Sequence, residues 1–170
     1  MNKKEILHGQ ALSMQWVGYA LNKISTDINA GGDISKQLLD SVKSLDKIEG
    51  LKALSIGCNY VINFLLPFTL ELSLKALLAK EGIEPNPKHN FLIHYNRFSG
   101  KMKQRLQNEY SNQCKLGGCH ETGSLVQLLT VHQNDFVDWR YLENAEKLKR
   151  EEKEMHIAIY TILEIYSSRE

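Results

Sequence analysis

The chain has 170 residues, of which 42% are hydrophobic; that is enough to bury one core without disulfides or metals, and it predicts a single domain spanning residues 1–170. Its 21 basic residues nearly cancel its 20 acidic ones, which excludes the global positive field of proteins that coat long nucleic acids. Three cysteines, Cys58, Cys114 and Cys119, form an odd and sparse set that argues against a secreted disulfide framework and fits a reducing cytoplasm.

The opening stretch, MNKKEILHGQALSMQW, mixes polar groups into its apolar positions and lacks the uninterrupted apolar centre of a secretory signal. Leu7, Met14, Val17, Leu21, Ile24 and Ile28 then fall on one stripe of a long helix that ends near Ala30-Gly31-Gly32. A shorter pattern, Leu38, Val42, Leu45 and Ile48, follows Asp33 or Ser35 as N-cap and ends at Gly50. The segment from Leu51 to Lys80 is apolar nearly all round, which marks the central helix of a bundle, with Pro67 predicted to kink or break it. Its most lipophilic run, Val61 to Leu72, falls short of the roughly 20 apolar residues of a spanning helix, so no membrane span is expected.

Gly82, Pro85 and Pro87 supply a stop and a stiff bend, after which Phe91, Leu92, Tyr95 and Phe98 restart a helical face. Met102, Leu106 and Tyr110 mark a polar surface helix, and the glycine-rich Cys114 to Gly123 reads as a loop. Leu125, Leu128, Leu129, His132, Phe136 and Trp139 make the next stripe, and Met155, Ile159, Ile162 and Tyr166 the last. No segment alternates as a strand does. The predicted fold is all-α, an up-and-down bundle of about five to seven helices.

Three words stand out: ELSLKALLAKEG from Glu71, KHNFLIHYN from Lys88 and FVDWRYL from Phe136. Together they resemble the HEPN family (higher eukaryotes and prokaryotes nucleotide-binding), over residues 64–99 and 133–165. The resemblance implies a HEPN-like helical bundle in which Glu71 or Lys75 faces the His89-Asn90 pair at the start of the next helix. It further implies a cytoplasmic homodimer in a prokaryotic defence or toxin-type system. The chain would be a module that binds a protein partner, such as a nucleotidyltransferase or an antitoxin, or a nucleotide or RNA ligand.

Ribonucleases of this family carry an Arg followed four to six residues later by a His, and Arg150 and His156 satisfy that spacing. The alternative function is therefore a metal-independent endoribonuclease with a composite site in the dimer. In it a ribose 2′-hydroxyl would attack the adjacent phosphate, His156 would move protons, and Arg150 would stabilise the developing charge. Six residues on a continuous helix turn through about 600 degrees, which leaves the two side chains about 120 degrees apart, so Arg150 must fold back from before the helix. Glu151 departs from the Asn, Asp or His that many of these nucleases carry, and Glu152 and Glu154 would repel phosphate.

The remaining candidates have structural readings beside functional ones. His89-Asn90 can cap a helix start, or can join Lys75 and Lys88 in receiving an anion. Arg140, between Trp139 and Tyr141, can hold a phosphate beside a base platform, or can pair with Asp135 or Glu143 while Trp139 fills the core. Cys114, Cys119 and His120, with His132 downstream, lack the paired short spacings of a structural zinc site, so no metal is expected, and no cofactor motif occurs. His132 lies on an apolar stripe and is expected to be a hydrogen-bonded core histidine.

Overall fold

The computed structural model describes residues 47–119, 123–135 and 152–168, together with the isolated helical positions Ala11, Ala20, Lys23, Thr26 and Ala30. The chain is an all-α bundle. Its five described helices are α1 (Lys47–Lys80), α2 (Phe91–Tyr95), α3 (Gly100–Gly117), α4 (Leu125–Val131) and α5 (Glu152–Ser167). The Leu38–Leu45 pattern and the FVDWRYL word lie outside the described residues.

The central helix α1 owes its place to leucines on several faces: Leu66, Leu70, Leu74, Leu77 and Leu78 are all buried. Each contributes about 1.5–3 kcal/mol by leaving water. Its most extensive partner is α5, which offers Met155, Ala158, Ile159, Ile162 and Ile165, while α3 packs on α5 through Met102, Leu106, Tyr110 and Cys114. Those four residues at spacings of four put one face of α3 inside the bundle, so α3 is half buried rather than a surface helix. Ala11, from the N-terminal segment, is buried in the same core.

Two predicted boundaries move. Ile48 and Gly50, read as the end of a separate helix, lie inside α1, and α1 also runs without interruption through Pro67. A helical glycine such as Gly50 costs only about 1 kcal/mol, too little to end a helix; a proline removes one hydrogen bond, and the burial of Leu70, Leu74 and Leu77 beyond Pro67 outweighs that loss. The Thr69 hydroxyl donates to the Leu65 carbonyl at 2.7 Å and Ser73 to Thr69 at 2.8 Å, which gives the buried hydroxyls partners inside the helix.

The helix stops where Gly82 turns left-handed, with φ 75°. There Ile83 N–H donates to the Leu78 carbonyl at 2.9 Å and Gly82 N–H to Ala79 at 3.2 Å. This closure satisfies terminal carbonyls and folds Ile83 back toward Leu78 against the core. The same device ends α3: Gly118 has φ 66°, Cys119 N–H donates to Cys114 at 3.0 Å and Gly118 N–H to Lys115 at 3.3 Å. Cys114 to Gly117 are therefore helical, and the loop begins at Gly118, four residues later than predicted.

The end of α1 is tied to the end of α5. Lys80 Nζ donates to the carbonyls of Tyr166 at 2.6 Å, Ser168 at 2.9 Å and Ile165 at 3.5 Å, and lies 5.5 Å from the centre of the Tyr166 ring. A cation there neutralises the partial negative charge of the helix C-terminus. Among the described residues no helix is long and apolar enough to cross a membrane.

Candidate functional site at the bend between α1 and α2

The site begins with a buried carboxylate. Glu71, only 2% exposed, sits among the leucines of α1, where an unpaired charge would be strongly disfavoured. Two groups answer it. Lys75, one turn on, places Nζ 2.5 Å from Oε1, and Glu preceding Lys by four residues is the favourable order along a helix. His89, delivered by the bend, donates from Nδ1 to the two carboxylate oxygens at 2.9 and 3.1 Å. The Lys75 side chain is 14% exposed and that of His89 43% exposed, so the buried carboxylate is linked through the imidazole to the surface.

The bend itself is held by its own polar groups. Asn86 Oδ1 accepts from the Lys88 amide at 2.9 Å, the side-chain turn that Asn favours between prolines. The Arg97 guanidinium donates to the Glu84 carbonyl. Asn90 caps α2 by accepting from Ile93 N–H at 3.0 Å, and its amide donates to Gln133 Oε1 at 3.3 Å and Asn134 Oδ1 at 3.1 Å beyond α4. Phe91 N–H donates to the Gln133 carbonyl at 3.4 Å. The cap thus locks the bend to the end of α4.

His94, absent from the predicted site residues, is fully buried under this cluster. Its Nε2–H donates to the Lys88 carbonyl at 3.0 Å, while Nδ1 meets no hydrogen-bond partner among the described residues. Burial, and then the Lys75 charge, hold its pKa below the ordinary histidine value, with a smaller push from Arg97; Glu71 and the Lys88 carbonyl act in the opposite direction. The ring is neutral at physiological pH. A signal was present in the sequence, since Phe91, His94, Tyr95 and Phe98 have helical spacing and put His94 on the inner face.

Lys75, Lys88, His89 and Asn90 are therefore brought together at one bend. Lys88 is exposed beside His89. His156 lies elsewhere, half-buried on α5, and Arg140 and Arg150 lie outside the described residues. His132 is a core histidine as its stripe predicts: it is 1% exposed, with Nδ1 2.5 Å from Asp135 Oδ2. No group of three or more His, Cys, Asp or Glu side chains that could hold a metal is found among the described residues.

Chemically, the arrangement fixes an imidazole against a buried carboxylate and sets a lysine beside it. Such a pair can present hydrogen-bond donors and positive charge to an acceptor such as a phosphate or a carboxylate. Compared with known proteins, the chain matches no family model, no curated protein and no solved structure.

Proposed function

We propose that the chain is a HEPN-like helical module of a prokaryotic defence or toxin-type system, which binds a protein partner or a nucleotide or RNA ligand and does not cleave RNA on its own. The observation that carries this reading is the Glu71, Lys75 and His89 cluster: its charges are committed to one another inside the bend, and the partly exposed imidazole with exposed Lys88 is left as a recognition surface. A fixed surface of this kind suits binding, where pre-organisation lowers the ordering cost. The module is proposed to work as a homodimer through its long helices. Val61 on α1 and Tyr160 on α5, 44% and 48% exposed, are apolar groups that such an interface would cover.

The test is native purification of the wild-type chain beside a Lys88→Ala/His89→Ala double variant of equal helicity. A stoichiometric protein or nucleotide-bearing ligand should accompany the wild type and be depleted at least tenfold from the variant. Equal recovery from both would remove the bend from the binding surface. The alternative, an endoribonuclease using Arg150 and His156, takes over if metal-free cleavage of RNA is found and depends on those two side chains.

A further inference from the structure

The closure at the end of α3 has a second consequence. In a helix end built on a left-handed glycine, the residue three before the end and the one just beyond the glycine are brought side against side, and the contact is ordinarily apolar. At the end of α1 that pair is Leu78 and Ile83; at the end of α3 it is Cys114 and Cys119, joined by the same backbone bonds. Cys114 lies close enough to the Cys119 thiol and the Tyr110 side chain at this helix end to raise the proton affinity of both. Both thiols are free, Cys114 fully buried and Cys119 half-buried.

We infer that Cys114 and Cys119 form a dithiol site that hydroperoxides oxidise to an intramolecular disulfide. The backbone bond from Cys119 N–H to the Cys114 carbonyl, at 3.0 Å, holds the two residues against each other, the close approach on which a disulfide depends. Cys119, the more accessible thiol, reacts first: its sulfur attacks the peroxide, the O–O bond breaks, and a sulfenic acid and one water form. The Cys114 sulfur then attacks the sulfenic sulfur, the S–S bond forms, and a second water leaves with the Cys114 proton. Two thiols lose two hydrogens and one hydrogen peroxide becomes two waters.

The groups facing Cys119 are Tyr110 and Cys114 from α3, and Lys153 and Glu154 from α5. Burial, the neighbouring Cys114 thiol and the charge of Glu154 push its thiol up to about 11, with Lys153 opposing. The thiolate is scarce at neutral pH, so the first step is slow and the second, between neighbours, is fast. Oxidation staples a turn whose Gly118 carbonyl also accepts from Lys153 Nζ at 3.2 Å, so the crosslink forms beside the contact between α3 and α5.

The experiment treats the full chain with hydrogen peroxide, with and without dimedone, and blocks remaining thiols with a maleimide before digestion at Lys115. The wild type should yield peptides 106–115 and 116–140 joined by a bond that reductant breaks. Its dimedone adduct at Cys119 should be at least tenfold lower than in Cys114→Ser, where no neighbour resolves the sulfenic acid. Dimedone capture at Cys119 as high in the wild type as in Cys114→Ser, or a disulfide to Cys58 or to a second chain in place of the joined peptides, would overturn the proposal. The joined peptides are read from the wild type itself, so the result stands even if Cys114→Ser unfolds.

Discussion

Replacing Glu71 by Gln tests whether the bend is organised by a buried charge. The substitution keeps the shape of the side chain and removes the charge that faces Lys75 at 2.5 Å and His89 at 2.9 Å. With an effective dielectric constant near 20, the gross attraction across the Lys75 pair is about 7 kcal/mol. Most of this is offset by the several kcal/mol needed to desolvate each ion, and breaking a buried pair by deleting one partner costs about 3–5 kcal/mol. Because the Lys75 and His89 side chains keep 14% and 43% of their exposure, the low end applies, about 3 kcal/mol. Urea unfolding followed at 222 nm should show that loss with an unchanged slope, and thermal unfolding should fall by about 6–12 °C. The Glu71→Leu/Lys75→Met double variant should recover much of it, since an apolar pair of similar volume leaves no buried charge stranded; the two sites should couple by about 1–3 kcal/mol. A Glu71→Gln protein within 0.5 kcal/mol of the wild type, or strictly additive single changes, would refute the reasoning.

Lys80→Met should lower stability by about 2 kcal/mol, the worth of charged hydrogen bonds to the terminal carbonyls of α5; hydrogen exchange should rise first in the last turn of α5. Gly118→Ala should cost about 1–2 kcal/mol because its φ is left-handed, as should Gly82→Ala. Gly117→Ala should cost less, since its new Cβ crowds only the flexible end of Ile157, at 2.9 Å, with Ile157 Cγ1 and Lys153 Cε in ordinary contact at 3.9 Å; chemical denaturation of the three variants orders them. His94 binds fewer protons folded than unfolded, so its contribution is complete above the unfolded value near 6.5 and is lost as pH falls below it, by at most about 1.4 kcal/mol per pH unit. His94→Gln should flatten the acid side of the stability profile below pH 6.5, and an unchanged slope would count against the neutral buried ring.

The class of the fold was legible because hydrophobic period is a local property: Met155, Ile159 and Ile162 announce α5, and Gly82 with Pro85 and Pro87 announces the end of α1. Helix continuity was less legible. Gly50 carries a penalty of only about 1 kcal/mol, and Pro67 one that the burial of Leu70, Leu74 and Leu77 overrides, which its neighbours in sequence do not reveal. At the bend, the lysine, histidine and asparagine could be named from their spacing. The spacing also puts His94 on the inner face but leaves its role open, because a buried histidine and a ligand histidine look alike until the Lys88 carbonyl is seen to accept its hydrogen bond. The contact between Cys114 and Cys119 was hidden for another reason: the C-x4-C spacing was read as part of a loop, and it brings the thiols together only if the helix persists to Gly117 and reverses at Gly118.

The most direct test of the proposed function is incubation of a mixed RNA pool with the wild-type chain and with His156→Ala, in excess chelator, with circular dichroism confirming equal folding. A binding module leaves the RNA intact in both reactions. Cleavage by the wild type that disappears in His156→Ala would contradict it and establish a metal-independent ribonuclease.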